Sequence, residues 1–172
     1  FAKPGTRGDT YCIVLNDTIR LDKNYQYDIS GKTDYFLNTT STVWYKNKFI
    51  STSDEYLVAV STHFQKDTQW DLSIYVNGQL KHTQSGFALA SYSTINLDKF
   101  IKLYENDEFE IVFKITVDGD AGVPISEFIS LNYELYHENI SFISYDGENW
   151  ADFYDLKWKY PDHTYDSQVA CI

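Results

Sequence analysis

The stretch "QWDLSIYVNGQL", residues 69–80, constrains the fold more than any other part of the chain. Trp70, Leu72, Ile74 and Val76 alternate with Asp71, Ser73 and Tyr75, the period-2 pattern of a strand with one buried face. It runs into Asn77-Gly78, a pair that tolerates the positive φ a type I′ turn requires. The pattern predicts a hairpin whose second arm is "QLKHTQSG", polar enough to lie at a sheet edge.

The same alternation recurs. In "EFEIVFKITV", Phe109, Ile111, Phe113, Ile115 and Val117 form an apolar row. Glu108, Glu110, Lys114 and Thr116 lie opposite, with Val112 as the exception. In "EYLVAVSTHF" the pattern places Tyr56, Val58, Val60 and Phe64 on one face. Further strands are expected in "TYCIVLN", "TVWYKNKFI", "YSTINL", "ISEFISLNY", "ISFISY" and "SQVACI". No helix is expected, and "KLYENDEF" reads as a loop. In "ISFISYDGENWADF", Asp146-Gly147 is expected to turn the chain and Trp150 to pack in the core. Many short strands with turn signals between them imply an all-β antiparallel sandwich or barrel.

Aromatic residues make up 17% of the 172, with 15 Tyr, which suits pleated, half-buried surfaces. The length implies one domain over 11–172, after a loose lead-in over 1–10 that carries Pro4, Gly5 and Gly8. With no Met and Phe1 at its start, the chain reads as a piece of a larger product. A net charge of −11 excludes nucleic acid and anionic membrane surfaces as partners, since both need a basic face. No apolar run reaches the roughly 18 residues of a bilayer span, so direct membrane insertion is not expected. Arg7-Gly8-Asp9 in the lead-in is too short a match to carry meaning. Three sequons, at Asn16, Asn38 and Asn139, lean toward an exported, extracellular chain.

Cys12 and Cys171 lie near opposite ends. They form either a disulfide, because the first and last strands of a sandwich are often neighbours, or two buried thiols acting as small hydrophobes. Both sit in apolar strand contexts unlike that of a catalytic thiolate. His63, His82, His137 and His163 have no zinc-ligand spacing. The 25 acids form no recognisable glycosidase pair.

Four pieces in this order, "SDEYLVAVSTHF", "DLSIYVNGQLKHTQSG", "STINLDKFIKLYENDEFEIVFKI" and "ISFISYDGENWADF…VACI", carry a resemblance. The chain resembles the lectin-like domain found beside papain-like cysteine peptidases and in adhesin-like surface proteins of methanogenic archaea and clostridia. The resemblance runs from about Tyr11 to Ile172. It implies a two-sheet, jelly-roll-like β-sandwich that does no chemistry itself and accompanies a peptidase or a surface module. A clostridial relative is associated with calcium, which makes calcium a cofactor to expect. Asp54, Glu55 and Asp152 are its candidate ligands, because a sandwich assembles hard oxygen donors from separated loops.

The segment "FYDLKWKYPDHTYD" departs from the family pattern by its length. It sets Tyr154, Trp158 and Tyr160 near Asp155 and Asp162, the aromatic faces and carboxylates that a sugar site uses. The competing reading has these aromatics capping the open end of the sandwich. The expected function is a non-catalytic cell-surface binding or adhesion module that recognises a glycan or cell-wall component. The alternative is a structural spacer that packs against neighbouring domains of the parent protein.

Overall fold

The computed structural model describes residues 21–157 and 165–172. Outside them lie the lead-in over 1–10, the expected strand "TYCIVLN" with Cys12, the sequon at Asn16, and Trp158, Tyr160, Asp162 and His163 of the insert.

In chain order the strands are β1 (Asp34–Leu37), β2 (Thr42–Ile50), β3 (Glu55–His63), β4 (Thr68–Val76), β5 (Gln79–Ala88) and β6 (Tyr92–Leu103). There follow β7 (Glu108–Val117), β8 (Gly122–Ser130), β9 (Ser141–Ser144), β10 (Trp150–Asp152), a one-turn helix α1 (Phe153–Leu156), and β11 (Tyr165–Ala170). One sheet has six antiparallel strands in the order β10-β9-β2-β7-β4-β5. The opposing layer is made of a β3-β6 pair and a β1-β8-β11 sheet. This is the all-β sandwich expected from the sequence.

The core lies between the layers. The six-stranded sheet contributes Tyr45, Phe49, Leu72, Ile74, Phe109, Phe113 and Ile143, and the other layer contributes Val60, Leu97, Leu103, Val123 and Ala170. Phe49 stacks on Phe109, and Tyr45 stacks on Phe113. The inward row of β4 is buried at Trp70, Leu72, Ile74 and Val76, as its alternation predicts. Asn77 and Gly78 take φ of 50° and 73°, and β5 forms the polar edge. Asn77 also ties the hairpin to the next loop: its Nδ2 donates to Asp107 Oδ1 at 2.7 Å.

Several expectations are corrected. Tyr56 is 59% exposed, and Leu57 is the residue that packs against the core. The β3–β6 register slips between Leu57 and Ala59, so the inward phase passes from odd to even positions along one strand. β6 continues through Leu103, shortening the loop expected in "KLYENDEF". The helix α1 was not expected; Asp152 caps it by accepting from the Tyr154 N–H at 3.0 Å. Trp150 is half-buried on the outer face of the sheet rather than in the core.

Asn38, a sequon residue, is only 5% exposed. Its Nδ2 donates to the carbonyls of Phe36 and Ala121, and its Oδ1 accepts from the Tyr145 hydroxyl. Asn139 is exposed.

Candidate functional site

The outward residues of the six-stranded sheet form a lattice that its register dictates. One row runs Trp150–Ser144–Trp44–Lys114–Asp71 across β10, β9, β2, β7 and β4. The next row sets Phe142, Lys46, Val112 and Ser73 side by side, and a third sets Lys48, Glu110 and Tyr75. Between these rows lies a groove of about 360 Å³, lined by Trp44, Lys46, Tyr75, Glu110, Val112 and Trp150 among others. Its size falls at the lower end of small-ligand sites. Val112, the break in the apolar alternation of β7, belongs to this groove.

Lys46 organises the floor. Its Nζ donates to Glu110 Oε2 at 2.6 Å and stands 4.4 Å from the centre of the Trp150 ring. Lys48 approaches the other Glu110 oxygen at 3.7 Å, so one carboxylate serves two ammonium groups. Lys114 bridges to Asp71 at 3.3 Å and faces the Trp44 ring at 5.5 Å. Contacts of this kind each contribute about 0.5–1 kcal/mol at exposed sites. Their larger effect is to tie both indoles to charged neighbours on the sheet face.

The β9–β10 turn closes one end of the groove. Asp146 accepts from the backbone N–H groups of Glu148 and Asn149, from Asn149 Nδ2, and from the Ser144 hydroxyl. These bonds, the Asn149 side chain's foremost, hold the Asp146 carboxyl far below the usual carboxylate range. Gly147 follows at φ 80°, and a Cβ there would lie 3.1 Å from Trp44 Nε1. The turn thus sets its backbone against the edge of the Trp44 indole.

The groove suits recognition better than reaction. Its aromatic walls can stack on an apolar ring face, while Lys46, Glu110 and Ser73 offer hydrogen bonds at its floor. Glu110 is the single carboxylate among its described lining residues, whereas glycoside hydrolysis uses a pair.

Those residues singled out in the sequence that the structure describes are scattered. Tyr154 and Asp155 lie on α1, which follows directly on β10 after Asp152. Lys157 stands over the Tyr154 ring at 3.4 Å and pairs with Glu134. Asp54 accepts from the Glu105 N–H at 3.1 Å. Glu55 accepts from the Tyr25 hydroxyl and pairs with Lys23 at 3.1 Å. Asp152 accepts from the N–H groups of Asn139 and Tyr154. The structure thus puts Asp54 and Glu55 at the start of β3 and Asp152 at the cap of α1. Among the described residues no three His, Cys, Asp or Glu side chains are grouped to hold a metal ion. Cys171 is buried and has no disulfide partner among the described residues, and burial pushes its pKa well above the usual thiol range.

Sequence reasoning missed Trp44, Lys46, Tyr75 and Glu110. The signal available was the outward phase of "TVWYKNKFI" and "WDLSIYV", where an aromatic residue falls among polar ones.

A second and larger cavity, about 670 Å³, runs along β3 and is bounded by the segment 21–28 and the chain end at Cys171–Ile172. Phe49, Phe109 and Ile111 of the core line its wall.

No curated protein and no solved structure matches the chain. The family model described as "Lectin like domain" matches residues 24–163, well over half of it. Strands β1 to β10 and the groove on the outer sheet face fall within that span, and the chain belongs to the lectin-like domain family.

Proposed function

We propose that this domain is a non-catalytic binding module that takes a glycan ring in the groove between Trp44, Tyr75 and Trp150. The observation that carries the reading is the pair of indoles held at the groove by Lys46, Lys114 and the Asp146-Gly147 turn. Membership of the lectin-like family and the single, charge-paired carboxylate support it. The module works outside the cell, joined to a surface adhesin or a peptidase. Tyr154, Trp158 and Tyr160 follow Trp150 closely in the sequence, so the insert is the other candidate for the sugar.

The test is a glycan array probed with the whole chain, once with calcium and once with chelator. The hit is then titrated against Trp150→Ala and against Tyr154→Ala with Trp158→Ala. Loss of one stacking wall should weaken binding about tenfold, or ~1.4 kcal/mol, without changing the melting temperature much. A hit whose affinity ignores Trp150→Ala removes the groove from consideration. One that responds only to the Tyr154 and Trp158 changes moves the site to the insert, and one lost with chelator brings calcium into it.

A spacer role has one observation in its favour. Phe87, Leu89 and Phe100, on or beside β5 and β6, are each more than 60% exposed. No binding anywhere on the array, together with association through those residues, would support domain packing instead.

A further inference from the structure

The groove between Trp44, Tyr75 and Trp150 is rich in hydrogen-bond donors and poor in acceptors. Each indole N–H can only donate, and so can the Lys46 ammonium. Ser73 and Tyr75 carry hydroxyls that do both. Glu110 is the one carboxylate among the described lining residues, and both of its oxygens already face ammonium groups. Lys46 donates to Oε2 at 2.6 Å, and Lys48 stands 3.7 Å from Oε1. The Asp146 carboxylate, at the end of the groove, is taken up by the Ser144, Glu148 and Asn149 donors of its own turn.

Charge runs the same way. Two ammonium groups share the Glu110 carboxylate, which leaves an excess of one positive charge in the Lys46–Glu110–Lys48 cluster. The register fixes this, since Lys48, Glu110 and Tyr75 are cross-strand neighbours on β2, β7 and β4. Lys48 is the looser of the two lysines, with its side chain 31% exposed against 13% for Lys46. Its approach to Glu110 exceeds hydrogen-bond range, so its ammonium can turn to a ligand. Lys114, further along β7, is matched by Asp71 and adds no excess.

The hydroxyls of a neutral sugar each bring a donor that needs an acceptor, which this groove lacks. A carboxylate on the ring brings acceptors alone, and ammonium–carboxylate bonds are about twice as strong as neutral ones. The net charge of −11 opposes an anion at long range. Salt screens charges separated by more than about 8 Å at physiological ionic strength, so the lysines at contact distance decide.

We propose that the groove selects a glycan ring that carries a carboxylate, a uronic or sialic acid, with Trp150 under the ring face and Lys48 on the carboxylate. This rests on the glycan-binding reading above and names its ligand class.

The test titrates the whole chain with trigalacturonate, triglucuronate and sialyllactose, each beside its methyl ester, at physiological ionic strength. The ester keeps the ring and removes the charge. At least one acid should bind about tenfold more tightly than its ester, the effect of one hydrogen bond to a charged group. Lys48→Gln should erase that preference, Lys48→Arg should retain it, and Trp150→Ala should weaken acid and ester alike. Equal affinities of acid and ester, both weakened by Trp150→Ala, would overturn the acid preference and leave the glycan site standing. A preference that survives Lys48→Gln overturns it as well. Acid affinity that ignores Trp150→Ala would put the carboxylate elsewhere on the surface and remove both readings. Failure of every probe to bind also overturns the preference, and a neutral array hit sensitive to Trp150→Ala would then keep the groove as a site.

Discussion

Gly147 shows how one residue connects the fold to the site. It needs a positive φ to turn the chain, and it must stay bare because the Trp44 indole lies against it. Gly147→Ala is expected to cost about 1–2 kcal/mol in chemical denaturation, from strain at that φ and from pressure on the indole. It should also weaken ligand binding in step with the shift of Trp44. Its neighbour Asp146 predicts a pH effect. The folded pKa is depressed, so its contribution to stability is complete above the unfolded value of about 3.9 and is lost as pH falls through the folded one. Protection of the Glu148 and Asn149 amides should therefore decline in acid below about pH 4, and Asp146→Asn should flatten that decline. The turn was legible in the sequence because Asp-Gly states its own conformation. The position of Trp150 was not, since a three-residue strand does not say which of its sides the rest of the chain covers.

At the scale of elements, alternation was a sound guide where pairing is regular and failed where it slips. β4 and β7 carry their buried rows as the sequence predicts. In β3 the slip between Leu57 and Ala59 reverses the phase, so Tyr56 faces out and Leu57 faces in. Denaturation of two variants checks this. Tyr56→Ser should change stability by less than about 0.5 kcal/mol, while Leu57→Ala should cost ~1–3 kcal/mol. Alternation assigns a side to each residue but not a neighbour to each strand. Trp44 and Trp150 are far apart in the chain and meet at one groove only because β9 lies between β2 and β10. For that reason the sequence pointed to the contiguous aromatic insert and passed over a site assembled from four strands.

For the whole molecule, the charge and the architecture act on different quantities. The excess of 25 acids over 14 bases keeps the surface hydrated and repels the compact state from itself. Added salt should therefore raise the melting temperature between low and physiological ionic strength, measured by calorimetry. The groove runs against this trend, since three lysines meet two acids on its face. The buried Asn38 carries a different kind of consequence, one of timing during synthesis. A host that glycosylates Asn-x-Thr on nascent chains would reach Asn38 before its amide is enclosed by Phe36, Ala121 and Tyr145. A sugar attached then would occupy the space those partners need. The secreted product would divide into a folded fraction bare at Asn38 and a misfolded fraction modified there, whereas Asn139 could accept its glycan before or after folding.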